Sequence, residues 1–517
     1  MRIAGVSLFV LLAVVAVIPA REPTKQELLL AVEKQLKSAN ETAGPAVACV
    51  VVSRSDRYPK SAGTTDAPGK LGGYDLKEFL KQNTAHGDDR IGESLDLSNP
   101  KNIPDHGYAC GIVIDPSGLI LTPYHVVEGA TKVYVHLPGR VGSYADIYAA
   151  DSRHDLAVLK LLTPPQGLTA IKFADVRLEK RLDQQPTVVS GKLVILMANS
   201  AVLGTALDNP SAALGSVTGI RTPSADTQKE PPPSHSYYLF GPLIEHDAKL
   251  NAGVDGAALL NLDGELIGLT TTAANVSGGE RGPAYAFPAD DNFRRVVAVL
   301  RRGEEVEHGY LGVRGPATGP DKFGVLFSGV SARGPAAMAG LVESQPGSTV
   351  DLVTHVNGAP TNTYGDLLLR IGSALAGEKV KLTVSRGGRV REVEVTLAKF
   401  KNDQPFIASV RPDPVFGLRV DYNSILAQQK ELGDVRLQAN GVPAGVCVRE
   451  VAANSQATIA FKKLGDDPTR WLITHVNGVA VGTPAEFYKA AKGQQSIKLT
   501  VKDPTELNGR DREVTIP

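Results

Sequence analysis

Between residues 111 and 271 the chain repeats one pattern, a short apolar run, a turn, and another short apolar run. The runs read GIVID-PSG-LILT (111–122), TKVYVHL (131–137), LAVLKLL (156–162), KLVILMA (192–198), LGSVTGI (214–220), ALLNL (258–262) and ELIGLTT (265–271). Runs this short, at hairpin spacing and with little helix between them, restrict the segment to antiparallel β structure, a barrel or a sandwich. The 52 glycines, 34 prolines and single tryptophan suit a fold with many turns. QKEPPPSHS (228–236) must be a loop, because three prolines cannot occupy a central strand.

The 517 residues exceed what one β domain needs, and the flanks read differently. Met1-Arg2, the apolar run Ile3–Ile18 and the small-residue step Pro19-Ala20 form an export signal. The run is just short of the roughly 18–20 residues of a spanning helix, so cleavage is expected, with a retained membrane anchor as the alternative. The mature body is therefore expected in the periplasm or outside the cell. Thr24 and Glu27 make a capping box, and Leu29, Val32 and Leu36 follow at helical spacing, which predicts a short amphipathic helix docked on a domain or another subunit. Residues 53–107 are polar and turn-rich and read as a long surface loop. Phe293, Val296, Val297 and Leu300 form a helical stripe ended by Gly303, a candidate hinge.

The last 200 residues are duplicated. THVNG stands at 354–358 and again at 474–478, followed by VKLTV (380–384) or IKLTV (497–501) and by EVEVTL (392–397) or EVTI (513–516). Three matches in one order at an offset near 120 residues indicate a repeat. The organisation expected is a signal peptide (1–20), an N-terminal helix (21–44), a large β domain (45–303) and two repeated units (304–402 and 403–517). Lys+Arg and Asp+Glu both count 55, which gives no reason to expect nucleic acid or an anionic membrane as partner. Cys49, Cys110 and Cys447 lack metal-ligand spacing and are too few for a disulfide framework. Cys49 and Cys110 could pair if the fold joins them; buried thiols are the simpler expectation.

LTPYHVVEGA places His125 just after one apolar strand, and DSRHDLAVLK places Asp155 at the mouth of another. NAGVDGAALLNLDGELIG (251–268) leads a glycine-flanked turn into a hairpin. Each motif alone has a plain structural reading, a loop histidine, a capping aspartate, a tight turn. Together they resemble the high-temperature-requirement (HtrA/Deg-type) family of chymotrypsin-fold serine proteases, whose motifs are a strand followed by His-Val-Val, then Asp-Leu-Ala-Val-Leu-Lys, then Gly-Asn-Ser-Gly-Gly-Pro-Leu. IEHDAKLN (244–251), GPAYAFP (282–288), GYLGV (309–313) and GPAAMAGL (334–341) extend the resemblance into a PDZ domain. It implies a mainly β chain, a chymotrypsin-like double β-barrel followed by two PDZ-like domains, and assembly into trimers or larger homo-oligomers.

Carried over onto this sequence, the resemblance makes His125 the general base and Asp155 its orienting carboxylate, and gives the oxyanion-hole N–H groups to Gly253 and residue 255. The nucleophile's position holds Asp255. A carboxylate ionised near neutral pH has no proton for histidine to remove. Its attack on a peptide bond would form an anhydride, and its charge opposes the developing oxyanion. Asp255 is expected to pair with a protonated His125 and to raise its pKa. Val254, Ala257 and Ala258 depart from the family's Asn, second Gly and Pro. Ser277, in NVSGG (275–279), looks like a serine elbow but falls where the family has a surface loop. With Asp155 on one ring nitrogen, only His125 and Asp255 could face a metal, too few ligands for a site, and no cofactor is expected.

PDZ domains bind C-terminal peptides by strand addition, with a glycine-containing loop capturing the carboxylate. Tyr310, Leu311, Gly312 and Val313 match that loop, and Phe416, Gly417 and Leu418 match it more loosely. The resulting expectation is an exported HtrA-like pseudoprotease that binds unfolded or extended polypeptide or scaffolds protein quality control. An active serine-type endopeptidase and a structural envelope protein are the alternatives.

Overall fold

The structure, a computed structural model, describes residues 24–54, 70–71, 74–75, 108–139, 141–179, 184–199, 210–221, 241–250, 255–271, 284–316, 323–343, 350–402, 407–428, 441–465, 467–503 and 510–517. The apolar N-terminal run and most of the 53–107 loop lie outside them. Among the described residues no helix is long and apolar enough to cross a membrane.

Two six-stranded antiparallel barrels fill the region of short apolar runs. In the first, Val141–Asp151, Lys132–Leu137, Val47–Ser53, Tyr108–Asp115, Leu119–Pro123 and Leu156–Leu161 each pair with the next, and the last pairs back to Val141–Asp151. The second closes Leu193–Ala198, Ser211–Arg221, Leu243–His246, Ala284–Pro288, Leu266–Thr271 and Ala258–Leu260. Val141–Asp151 interleaves small and polar residues with one short apolar run at 147–150, which hid it from pattern reading. One buried cluster spans both barrels, so closure removes the sheet edges and leaves a single core. Cys49 and Cys110 face each other across adjacent strands; both are buried thiols with no disulfide, and burial pushes Cys110 up to about 12.

The helix Lys25–Ala43 starts at the Thr24/Glu27 capping box. It docks through its C-terminal half. Gln35 donates to Asp263 at 3.1 Å, and Ala39 is buried against Gly264, where a Cβ would lie 3.2 Å from the Ala39 Cα. The expected stripe is therefore displaced: Leu29 is 71% exposed, and Leu36, Ala39 and Ala43 make the contact. The helix Asp291–Arg301 is no hinge within the fold. Phe293, Val296, Val297 and Leu300 belong to the barrel core, and the helix packs on Val141–Asp151 and Leu156–Leu161.

Each C-terminal repeat has its own core. The first holds Val313–Pro316 against Phe327–Val330, and a four-stranded sheet of Ala359–Pro360, Asp351–Val356, Lys379–Arg386 and Arg389–Thr396. The second runs Leu418–Tyr422, Val446–Val451, Leu472–Val476, Ile497–Lys502 and Arg512–Ile516. THVNG recurs for a physical reason. Asn357 and Asn477 (φ 49° and 50°) and the glycines after them (77° and 79°) form left-handed hairpin turns. The two asparagine side chains accept the Lys381 and Lys498 N–H at 2.8 and 2.7 Å. Between the repeats the chain returns to the first barrel, where Ile407–Ala408 pairs with Val141–Asp151.

His246 is fully buried in the second barrel, and burial pushes its pKa down to about 4. An unfolded histidine titrates near ~6.5, so the unfolded state gains a proton first as pH falls. Stability of this barrel is accordingly full above ~6.5 and falls by about 3 kcal/mol by pH ~4. Amide protection along Leu243–His246 at both ends of that range, compared with His246→Leu, measures it; an identical acid loss in the variant would rule the histidine out.

Candidate active site

The site is built where two strand ends meet. Pro123 pairs with Leu156 at the last rung between Leu119–Pro123 and Leu156–Leu161, so His125 and Asp155 leave the barrel side by side. Asp155 is buried with φ 52°, a left-handed conformation that aspartate tolerates better than most residues. It accepts the His125 backbone N–H at 2.8 Å and sits 2.7 Å from the His125 Nδ1. Ring and backbone are thus fixed by one carboxylate.

Asp255 arrives from the second barrel. Its carbonyl accepts the Cys110 N–H at 2.7 Å, a bond across the two barrels. Gly256 follows with φ 71° and donates to the Thr270 carbonyl at 2.9 Å; a Cβ there would run into the Cys110 carbonyl. Ala257 N–H donates to the Thr270 hydroxyl at 2.9 Å. The turn so held brings the Asp255 carboxylate to 3.7 Å from His125 Nε2. The imidazole lies between two carboxylates. Burial opposes its charging, but the hydrogen bonds and charges of Asp155 and Asp255 outweigh that and raise its pKa to about 10. A shift in that direction favours the imidazolium, whose two ring nitrogens are both donors. Gly253 and Ser277 lie outside the described residues.

Arg54 also shapes the site, and sequence reading missed it. Its guanidinium donates to the Glu128 and Val126 carbonyls at 2.8 Å and to the His125 carbonyl at 3.1 Å, tying down the short helix that carries the histidine. It stands 71 residues from His125 in the chain, and no motif connects them.

A second cluster lies behind the site. Asp151 accepts from His154 Nδ1 at 2.8 Å and from His308 Nε2 at 2.9 Å; Asn292 donates to the other His154 nitrogen at 3.1 Å, which assigns the His154 proton to Nδ1. Burial resists the Asp151 charge, but the two histidines hold its carboxyl well below the usual range. These three could offer a metal one atom each. Each ligating nitrogen instead serves Asp151, which also accepts the Arg153 backbone N–H at 3.2 Å. The cluster ties the loop bearing Asp155 to His308, beside the opening strand Gly309–Tyr310 of the first repeat.

In the repeats, Gly312 and Gly417 both have φ 81°, and their carbonyls accept Ser331 and Ala452 N–H at 2.8 Å. Tyr310–Val313 and Phe416–Leu418 therefore occupy equivalent places.

Residues 109–269 match the trypsin-like peptidase domain and 309–397 the PDZ domain. A probable periplasmic serine endoprotease, DegP-like, of Brucella suis is 28% identical over 502 residues, 92% of this chain and 88% of that one. The periplasmic pH-dependent serine endoprotease DegQ of Escherichia coli is 28% identical over 414 residues, 78% and 79% of the two chains. A probable periplasmic serine protease, do/HhoA-like, of Haemophilus influenzae is 30% identical over 320 residues, 60% of this chain and 62% of that relative. Among solved structures, HtrA-type protease AlgW with decapeptide aligns with a TM-score of 0.45 at 19% identity, covering 71% of this chain and 99% of that one.

Proposed function

Because the chain belongs to the HtrA-type family of trypsin-like peptidases with PDZ domains, we propose that it is an exported member that holds extended or unfolded polypeptide without hydrolysing it. One observation carries the reading: a carboxylate, Asp255, faces His125 from the nucleophile's position. Acyl transfer there would need a hydroxyl or thiol and a neutral imidazole to deprotonate it, and the site supplies neither. His125 and Asp155 become remnants of the machinery, locked by charge. Gly253 and Asp255 mark the position of the oxyanion hole, which a carboxylate disfavours. Peptide capture falls to Tyr310–Val313 in the first repeat and Phe416–Leu418 in the second. The periplasm is the proposed location, supported by the names of the relatives and by the N-terminal apolar run.

The competing reading is an active serine-type endopeptidase, favoured by the names of the relatives and by the intact His125–Asp155 pair. Incubation with unfolded casein, beside a His125→Ala variant, decides between them. Equal background release from both is expected. Cleavage by the parent that disappears in the variant would establish the peptidase.

A further inference from the structure

We infer that each PDZ-like unit is self-latched: a tyrosine hydroxyl from its own groove helix occupies the strand edge on which a ligand would pair, so that an extended polypeptide binds only by displacing it. This rests on the peptide-binding reading of the two units.

The backbone defines the edge. Gly312 bonds to Ser331, and Arg314 stands opposite Gly329, so Val313 and Gly315 turn their backbone groups away from that partner strand. A C=O at one residue and an N–H two residues on face the same side of the strand, and an added strand engages both. Tyr364 sits on both. Its hydroxyl donates to the Val313 carbonyl at 3.4 Å and lies beside the Gly315 N–H. A hydroxyl both donates and accepts, so it can stand in for either group of an added strand.

The second unit repeats the contact by another route. Val420 lies three residues after Gly417, as Gly315 lies three after Gly312. Its N–H donates to the Tyr488 hydroxyl at 3.4 Å. Tyr364 is the first residue of its helix after the Thr363 cap, whereas Tyr488 is the fifth after the Thr483 cap. Two different helix positions thus bring a hydroxyl onto the backbone of the strand that follows the glycine. Burial raises both phenols' pKa, so the protons stay in place. At 3.4 Å the bonds are long. A contact that weak yields to the shorter bonds of a paired strand.

The test uses the full chain with Tyr364→Phe and Tyr488→Phe. Amide exchange at Gly315 should quicken roughly five-fold in the first variant and at Val420 in the second, each leaving the other site unchanged. Affinity for a pool of fluorescein-labelled peptides with apolar C-terminal residues and free carboxylates, read by anisotropy, should rise by a similar factor. Unchanged exchange, or faster exchange with measurable but unaltered affinity, overturns the latch alone. Absence of binding in the parent and every variant overturns the peptide-binding reading and the latch with it.

Discussion

Replacing Asp255 with serine is expected to bring the His125 pKa down from about 10 towards the ordinary histidine range, yet to leave fluorophosphonate labelling at about a hundredth of an active relative's rate. The two halves have different causes. The pKa falls because one of the two carboxylates facing the ring is gone, and Asp155 alone remains to offset burial. Proton NMR of the His125 ring reads this directly. It also carries a stability consequence with a definite sign. A histidine whose folded pKa is raised stabilises the native state fully below its unfolded pKa of ~6.5, and that contribution disappears as pH rises through about 10. The parent should therefore lose stability across this alkaline window, and Asp255→Ser should lose less. Labelling stays low because restoring a hydroxyl does not rebuild the hole. The approach reads Asn251-Ala252-Gly253-Val254, and Ala257 and Ala258 are buried in the barrel core where the resembling family has Gly and Pro. Loss of one oxyanion donor alone costs ~10²–10³ in rate. Brisk labelling would mean that the Cys110–Asp255 clasp and the Gly256 turn already preserve a working hole.

The features legible in the sequence were those set by local periodicity or by short motifs. Apolar runs marked most barrel strands, the Thr24/Glu27 box marked a helix start, and THVNG marked two identical turns. The meeting of His125 and Asp155 followed from two strand ends, because Pro123 and Leu156 share a rung. What escaped was whatever depends on long-range partners. Val141–Asp151 closes the first barrel with only a short apolar run of its own. Arg54 holds carbonyls 71 to 74 residues away, and Thr270 steadies the Asp255 turn from the next strand. Leu29 looked like part of a docking face but projects into solvent, because Gly264 admits the helix closely only at Ala39. The two latching tyrosines were invisible for the same reason. They occupy different helix positions, and only the folded structure shows that both reach the strand after the glycine loop.

Lys399→Met is expected to undock the second repeat, at a cost of about 3–5 kcal/mol. Lys399 ends the first repeat and is almost wholly buried. Its ammonium lies 3.0 Å from Glu305 and from Glu307, at the start of that repeat, and 2.9 Å from Asp421 in the second. Its carbonyl accepts from Ser424 Oγ at 2.8 Å and from Gln428 at 2.9 Å. Arg449 bonds Glu305 at 2.7 Å and Asp421 at 3.1 Å, so one network fastens the junction after the barrels to both repeats. Burial disfavours the Lys399 charge, but the three carboxylates outweigh it and raise its pKa. Removing the ammonium leaves three partly buried carboxylates sharing Arg449. Breaking one side of a buried pair costs more than the pair itself contributes, because the remaining charges stay desolvated. The energetically open route is for the second repeat to swing away and rehydrate them. Small-angle scattering should show a larger maximum dimension, and amide exchange should quicken along Leu418–Tyr422 while the barrels keep their protection. Adding Glu307→Gln and Asp421→Asn to the same chain removes two of the stranded charges and should recover much of the docking. Recovery distinguishes a charge network from simple packing, since the methionine stem fills the same space in both chains. An unchanged scattering profile in Lys399→Met would show that apolar contact alone joins the repeats.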